Sequence, residues 1–144
     1  MPYGIMTVMA TIFEQIIARE IPATIIYEDE SVVSFLDIRP ANKGHALVVP
    51  KHPYVNMFDA DSDVLAHMMR VAQKIARAQK AILNADGVNL LMNNGAFAGQ
   101  EVMHAHLHVI PRFDGDRAVT PPRQTTYLEG EAESLGETIK NAIR

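Results

Sequence analysis

Three histidines stand on alternate positions in the last third of the chain, as His104, His106 and His108. Side chains of a β-strand alternate between its two faces, so in a strand all three imidazoles would share one face. The intervening residues, Ala105 and Leu107 among them, would then point into a core. The pattern therefore predicts a strand that is buried on one side and carries titratable rings on the other. Packing does not explain such a row, which favours a functional site.

The 144-residue chain has the size of one ordinary domain, and its 48% hydrophobic content is enough for a single core. It contains no cysteine, which excludes disulfides and thiolate metal sites and fits a cytoplasmic protein. Its formal net charge of −4 lacks the strongly basic field of nucleic-acid-binding proteins. No apolar run approaches the ~18 residues that a membrane-spanning helix needs. We therefore expect neither a nucleic acid nor a membrane as partner.

Hydrophobic periodicity and turn residues predict five strands and three helices. The predicted strands are residues 23–27, 31–36, 45–49, 88–92 and 103–110. The predicted helices are residues 12 to about 21, 59–84 and 131–143. Thr11 and Glu14 form a capping box at the first helix. This order predicts an α+β fold on a mainly antiparallel five-stranded sheet, in which the loop at residues 93–100 joins the last two strands and arches over the histidine face.

A row of imidazoles permits three kinds of chemistry, because each ring titrates near pH 6.5. The row could bind a metal, act as general acid and base, or attack phosphorus to give a phosphohistidine-type intermediate. The loop at residues 93–100 is rich in glycine and amide side chains, which suit phosphate or sugar oxygens better than a metal. The spacing alone leaves all three alternatives open.

The histidine row belongs to a longer motif at residues 99–112, in which His-x-His-x-His is followed by two apolar residues. Three other segments precede it in the chain. They are Ile-Phe-Glu-Gln-Ile-Ile at residues 12–17, Phe-Leu-Asp-Ile-Arg-Pro at residues 35–40 and Gly-His-Ala-Leu-Val-Val-Pro-Lys at residues 44–51. In this order, the four motifs resemble the histidine triad (HIT) family and its Hint branch. The resemblance implies a HIT domain at residues 11–116, between a flexible tail at 1–10 and a C-terminal extension at 117–144 that holds the terminal helix.

What the resemblance implies is a hydrolase or transferase of purine nucleotides, similar to a nucleoside phosphoramidase, that works at the α-phosphate without a metal or other cofactor. His106 would be the nucleophile and form a nucleotidyl-histidine. His108 would contact the phosphate and protonate the leaving group, while His104 and His45 would orient the nucleophile. Asp37 would hold the ribose hydroxyls. The nucleotide-binding residues implied by the resemblance are Ile12, Phe13, Ile16, Phe35, Asp37, Ile38, Asn93, Gln100, Glu101 and Val102.

Glu101 departs from the family pattern, because the best-studied members carry Ser or Thr there and could donate a hydroxyl to a leaving amine. The departure leaves the leaving-group preference open. Three alternatives also stay open: a dinucleoside polyphosphate hydrolase as in the Fhit branch, a nucleotide-binding regulatory module with little turnover, and a zinc hydrolase that uses the histidines as ligands. The family usually forms two-fold dimers, so we expect a homodimer.

Overall fold

A five-stranded antiparallel sheet organises the chain in the computed structural model, which describes residues 10–117 and 123–144. The strands are β1 (Ile25–Glu28), β2 (Val32–Leu36), β3 (Ala46–Pro50), β4 (Gly87–Leu91) and β5 (Leu107–Arg112). The helices are α1 (Ile12–Ile17), α2 (Ser62–Leu83) and α3 (Glu131–Ala142). The strand order β1-β2-β3-β5-β4 places β5 inside the sheet, between β3 and β4. The predicted α+β class and antiparallel sheet are confirmed.

The long helix α2 covers one face of the sheet. Asp61 caps its first turn by accepting hydrogen bonds from the backbone N–H groups of Asp63 and Val64. The apolar stripe of α2 packs against alternate residues of the strands beneath it. This core consists of Val32, Ala46, Val48, Met68, Val71, Ala72, Ile75, Leu107 and Val109. Because Leu107 and Val109 of β5 point toward α2, the side chain of His108 between them faces the opposite side of the sheet.

The short helix α1 covers part of that opposite face. The predicted capping box is present: the Thr11 hydroxyl accepts from the Glu14 N–H, and the Glu14 carboxylate accepts from the Thr11 N–H. Phe13 and Ile16 of α1 are buried against β2 and β3. The sheet residues of this second core are Val33, Phe35, Leu47 and Val49. The site described below lies on this face.

Gly44 fixes the point at which β3 begins. Its backbone has φ +95°, and a Cβ added there would lie 2.4 Å from Cδ1 of Leu83 on α2. The Gln79 amide on α2 donates to the carbonyl oxygens of Gly44 and Val109, at 3.0 Å each. Helix, loop and strand are thereby held together immediately before His45.

Several predicted boundaries were wrong. Helix α1 ends at Ile17 instead of about residue 21, because Arg19 adopts a left-handed φ of 62°. Helix α2 begins three residues later than predicted, and the left-handed Asn84 ends it one residue earlier. Gly87, three residues further on, opens β4. Strands β1 to β4 differ from the predicted bounds by one or two residues, whereas β5 begins four residues later than predicted.

The predicted C-terminal helix is present as α3, with Leu135 and Ile139 exposed to solvent. The predicted N-terminal tail lies outside the described residues except for residue 10, and the predicted C-terminal extension is described except for residues 118–122. Among residues 10–117 and 123–144, no helix combines the length and apolar character that a membrane crossing requires.

Candidate active site

The three imidazoles share one face although only His108 lies in β5. The segment before the strand is held by a hydrogen bond of 2.7 Å from the Ala105 N–H to the carbonyl of Tyr54. The ring centroids of His106 and His108 are 5.0 Å apart. The Phe13 ring packs edge-on against His104 and His106, at 5.9 Å and 5.0 Å. The predicted strand therefore starts too early, because a distant loop pairs with this segment in place of a neighbouring strand.

His106 presents one bare ring nitrogen. Its Nδ1 lies 2.7 Å from the backbone carbonyl oxygen of His104, which can only accept, so Nδ1 carries the proton in the neutral ring. The lone pair is then on Nε2, for which the described part of the chain supplies no hydrogen-bond donor. Burial lowers the pKa of His106, against the opposing effects of the His104 carbonyl and of the charges on Asp37 and Glu101. His106 is therefore neutral at pH 7 and offers a nucleophilic nitrogen.

His45 and His108 hold the opposite tautomer, with the proton on Nε2. The Ala41 N–H donates to Nδ1 of His45 at 3.0 Å, so in the neutral ring Nε2 of His45 carries the proton. That nitrogen lies 2.9 Å from Nδ1 of His108 and donates to it. His108 consequently carries its own proton on Nε2. Burial, together with the neighbouring His106 and His45, lowers the pKa of His108 to about 4. Burial also lowers the pKa of His45, although the charge of Asp37 opposes this.

Asp37 stands beside this pair at the end of β2. One carboxylate oxygen accepts the Arg39 N–H at 2.9 Å, and the other lies 3.7 Å from Nε2 of His45. The Asp37 N–H also donates to the carbonyl of His45 at 2.9 Å, which closes the loop between β2 and β3. The carboxylate is partly exposed and keeps acceptor capacity for further donors, such as sugar hydroxyls.

A cavity of about 560 Å³ opens beside these groups, within the range of sizes that small ligands use. Ten predicted site residues line it: Ile12, Phe13, Asp37, Ile38, His45, Asn93, Glu101, Val102, His106 and His108. An adjoining, more apolar cavity of about 690 Å³ shares Ile12, Phe13, Asp37 and Ile38 and adds the predicted Ile16 and Phe35. The loop at residues 93–100 contributes Asn93 and Gly99, so it borders the histidine side as predicted.

Six lining residues were missed by sequence reasoning: Arg39, Ala41, Leu47, Leu91, Gly99 and Ile110. Sheet register could have found two of them. Leu47 of β3 and Leu91 of β4 both lie directly opposite His108 of β5. Directly paired residues point to the same face, so a correct pairing of the predicted strands would have placed both beside the imidazole.

Gln100, a predicted ligand contact, is absent from the lining residues. Its side-chain NH₂ donates to the carbonyls of Val55 and Val102, at 2.5 Å and 3.1 Å. Its side-chain oxygen accepts the Gly95 N–H at 2.8 Å and the Asn56 amide at 3.3 Å. Both donor hydrogens and the acceptor oxygen are thus used inside the protein, and Gln100 is buried. Gln100 therefore anchors the loop and does not contact a ligand as predicted. Its side-chain amide has no donor or acceptor free to bind a nucleotide.

His104 lies behind the cavity and is fully buried. Its Nε2 donates to the Pro50 carbonyl at 2.8 Å, and its Nδ1 accepts from the Thr11 hydroxyl at 3.4 Å. Burial lowers the pKa of His104, so the ring is neutral. Its carbonyl holds Nδ1 of His106. This placement agrees with the predicted orienting role and gives His104 no direct access to a ligand.

A metal ion could in principle use Asp37, His45 and His108, whose candidate ligand atoms lie within 4.8 Å of one another. The hydrogen bonds do not fit that use. A coordinating Nε2 of His45 would need its proton on Nδ1, where the Ala41 N–H already points. The donor arrangement therefore favours a proton relay over a metal site.

Comparisons with known proteins agree with this geometry. A family model described as the HIT domain matches residues 18–115. An uncharacterized HIT-like protein of Methanocaldococcus jannaschii is 49% identical, over 75% of this chain and 83% of that protein. An adenylylsulfatase of Arabidopsis thaliana is 34% identical, over 92% of this chain and 68% of that protein. The solved structure of a histidine triad nucleotide-binding protein from Candida albicans is 33% identical, with a TM-score of 0.81 over 92% of this chain and 96% of that one.

The antiparallel α+β domain places buried histidines beside a ligand-sized cavity. This arrangement defines a class of proteins whose ligand site is built from histidines. Within that class, the chain belongs to the HIT family, a superfamily of nucleotide-binding hydrolases and transferases. The predicted resemblance is thereby confirmed at the level of the family.

Proposed function

We propose that this protein is a purine nucleotide hydrolase or transferase that cleaves phosphoramidate or phosphoanhydride bonds at the α-phosphate of nucleoside monophosphate derivatives. The observation that carries the proposal is the pairing of opposite tautomers in one cavity. Nε2 of His106 offers a lone pair, and Nε2 of the adjacent His108 offers a proton. A displacement at phosphorus needs both a nucleophile and an acid for the leaving group.

The two adjoining cavities fit the two ends of a nucleotide. The apolar cavity, bordered by Ile16 and Phe35, suits a flat purine base. Asp37 lines both cavities and would accept hydrogen bonds from the ribose hydroxyls. The phosphate would then reach the polar cavity, where His106 and His108 lie.

The first chemical step forms a bond from Nε2 of His106 to the α-phosphorus and breaks the bond to the leaving group. The bound phosphate anion raises the pKa of His108, which takes up one proton from solvent at Nδ1, while the Nε2–H of His45 turns from that nitrogen toward the Asp37 carboxylate 3.7 Å away. His108 then delivers its Nε2 proton to the leaving nitrogen or oxygen, which departs with the bonding electrons. His106 becomes a nucleotidyl-imidazolium that keeps its Nδ1 proton on the His104 carbonyl.

The second step is hydrolysis of this adduct. Neutral His108 accepts a proton from water as the water oxygen attacks phosphorus. The N–P bond breaks, and its electron pair returns to Nε2 of His106. The nucleoside monophosphate leaves, and the His45–His108 pair again holds its additional proton. No metal enters either step.

The test is turnover of an adenosine phosphoramidate, with AMP release followed by chromatography and the adduct followed by intact-mass spectrometry after rapid quenching. Wild-type protein should release AMP and gain one adenylyl mass. His106→Ala should reduce turnover by ~10⁴-fold or more and prevent the adduct. His52→Ala, which removes an exposed imidazole outside the cavity, is the matched control. A folded His106→Ala protein that retains turnover would overturn the proposal.

A second candidate substrate class is the adenylyl anhydrides, including adenylyl sulfate and dinucleoside polyphosphates. The similarity to an adenylylsulfatase favours testing it. The same nucleophile would serve, and only the leaving group would differ. A comparison of kcat/KM for adenylyl sulfate, diadenosine triphosphate and an adenosine phosphoramidate would rank the alternatives. Tight AMP binding without turnover of any of them would instead support a regulatory module.

We further propose a homodimer in the cytoplasm. Strand β4 is an edge of the sheet, and its Leu90 and Leu91 are exposed. On the adjacent surface of α2, Met69 is half exposed. Within residues 10–117 and 123–144 no strand pairs with the outer side of β4, and such an edge beside apolar side chains suits a two-fold partner. Sedimentation at micromolar concentration should give the dimer mass, and Leu90→Lys should reduce it to the monomer mass.

A further inference from the structure

The side chain of Glu101 projects from a rigid position into the cavity. The residue before it, Gln100, is buried and fully hydrogen-bonded. The residue after it, Val102, packs against the buried cluster under α1 and accepts a hydrogen bond from Gln100. Glu101 itself is exposed and lines the polar cavity. Its backbone is therefore fixed on both sides, while its carboxylate has no hydrogen-bond or ion-pair partner within the described residues.

Glu101 lies on the side of the cavity away from the apolar pocket. Glu101, Asn93 and Gly99 line the polar cavity and are absent from the lining of the apolar one. If the base occupies the apolar pocket and the phosphate reaches His106, the leaving group emerges along the wall that contains Glu101. The charge of Glu101 already acts at this point, because it raises the pKa of His106 against the effect of burial.

Three side chains that are charged at pH 7 line the cavity, in addition to the His45–His108 pair, which takes up a proton when substrate binds. Besides Glu101, the charged residues that line the cavity are Asp37 and Arg39. Asp37 is assigned to the ribose and lies next to His45, while the exposed Arg39 follows on the same loop. A bound substrate therefore meets the Glu101 carboxylate as an unpaired charge at a partly exposed rim. There a unit charge on the ligand changes a rate by roughly tenfold at low salt and less at high salt.

We propose that Glu101 selects leaving groups that carry a positive charge, such as amines with a second ammonium group, and disfavours anionic leaving groups. This inference rests on the proposed function and specifies its substrate class. Glu101 acts through its charge on the departing group, and the chemical step remains that of His106 and His108.

The experiment uses three adenosine phosphoramidates that differ only at the far end of the leaving amine. Diaminobutane ends in an ammonium group, pentylamine in a methyl group, and aminopentanoate in a carboxylate. The measured quantity is the ratio of kcat/KM values among the three substrates at low and high salt. The variants are Glu101→Gln, which keeps the shape and removes the charge, and Glu101→Ser, which adds a small hydroxyl. Glu30→Gln, an exposed glutamate outside the cavity, is the matched control.

We expect wild-type protein and Glu30→Gln to prefer the diaminobutane substrate over the pentylamine substrate by about tenfold at low salt, and to disfavour the aminopentanoate substrate. Glu101→Gln and Glu101→Ser should bring the three values within about twofold of one another, as should high salt in the wild type. Turnover with the same ratios in wild type and Glu101→Gln would overturn the role of Glu101 and leave the proposed function intact. No turnover of any of the three by folded wild-type protein would overturn this inference together with the phosphoramidate half of the proposed function, and turnover of adenylyl sulfate would then separate the two failures.

Discussion

The four imidazoles near the cavity form two pairs whose backbone contacts are opposite. In the pair His104–His106, each ring donates an N–H to a backbone carbonyl oxygen. In the pair His45–His108, the first ring accepts a hydrogen bond from a backbone N–H and donates its own N–H to the second ring. The residue type is the same in both pairs, and burial lowers the pKa of all four rings.

The difference teaches how one residue type supplies both halves of a reaction. A neutral imidazole has one N–H and one lone pair, so the backbone contact at one nitrogen decides what the other nitrogen offers. A carbonyl contact leaves a lone pair on His106, and an amide contact at His45 leaves a proton on His108. The neighbouring rings thereby differ in chemistry although both are neutral in the free protein.

Removal of His108 should have the largest effect after the loss of His106. His108→Gln should lower kcat/KM for an alkylamine phosphoramidate by ~10² to 10⁴-fold, because the leaving nitrogen loses its proton donor. A leaving group that needs no proton, such as nitrophenolate, should lose much less. Steady-state kinetics with the two substrates measures the contrast. An equal loss for both would show that His108 positions the phosphate and does not act as the acid.

Removal of His45 should have a smaller effect through the same path. His45→Ala takes away the donor that fixes the tautomer of His108, and we expect a loss of about 10 to 100-fold. The double variant His45→Ala/His108→Gln should be no slower than His108→Gln alone, because both act on one proton. His67→Ala, whose ring bonds to Asp29 outside the cavity at 2.6 Å, provides the control. If the rate losses of the two single variants multiply in the double variant, His45 and His108 act independently and the proposed pair is wrong.

Much of this arrangement is accessible from sequence. Alternation predicted that the three imidazoles share one face, and they do so although His104 and His106 precede β5. Amphipathic spacing likewise predicted α2, and the spacing of Thr11 and Glu14 predicted the capping box of α1.

The tautomers could not be predicted in the same way. They depend on backbone atoms of Ala41 and His104, and every residue carries such atoms, so no side-chain pattern marks them. Gln100 shows a related limit. An amide in a glycine-rich loop is equally suited to a ligand or to the loop itself, and only its long-range bonds to Val55 and Asn56 decide between them.

The pH dependence of ligand affinity should distinguish the His45–His108 pair from the His104–His106 pair, without any bond being cleaved. His108 is neutral at pH 6, since the pKa of its imidazolium form is about 4 in the free protein. A bound anion raises that pKa, so binding should take up protons, and affinity should increase as the pH falls from 7 toward 5. The ligand should be the methyl ester of AMP, whose single charge does not titrate in this range. Calorimetry in two buffers of different ionisation enthalpy gives the proton count, and adenosine is the uncharged control. If no proton is taken up on binding, the His45–His108 pair is not the proton donor for the leaving group.

We expect the smallest effect at Thr11, which supports the His104–His106 pair. The Thr11 hydroxyl caps α1 and donates to His104, which is buried behind the nucleophile. Thr11→Ala should lower the free energy of unfolding by about 1 kcal/mol, the usual value of an N-cap, as measured by urea denaturation. Turnover should change by about twofold or less, because the Pro50 carbonyl still holds the ring and keeps its tautomer. Thr11→Ser should retain both stability and turnover, and Thr138→Ala on the exposed α3 controls for loss of a hydroxyl. A Thr11→Ala protein as slow as His108→Gln would show that the His104 tautomer depends on this 3.4 Å contact and not on the backbone. The claim that a backbone carbonyl fixes the tautomer of each ring in the His104–His106 pair would then be wrong for His104.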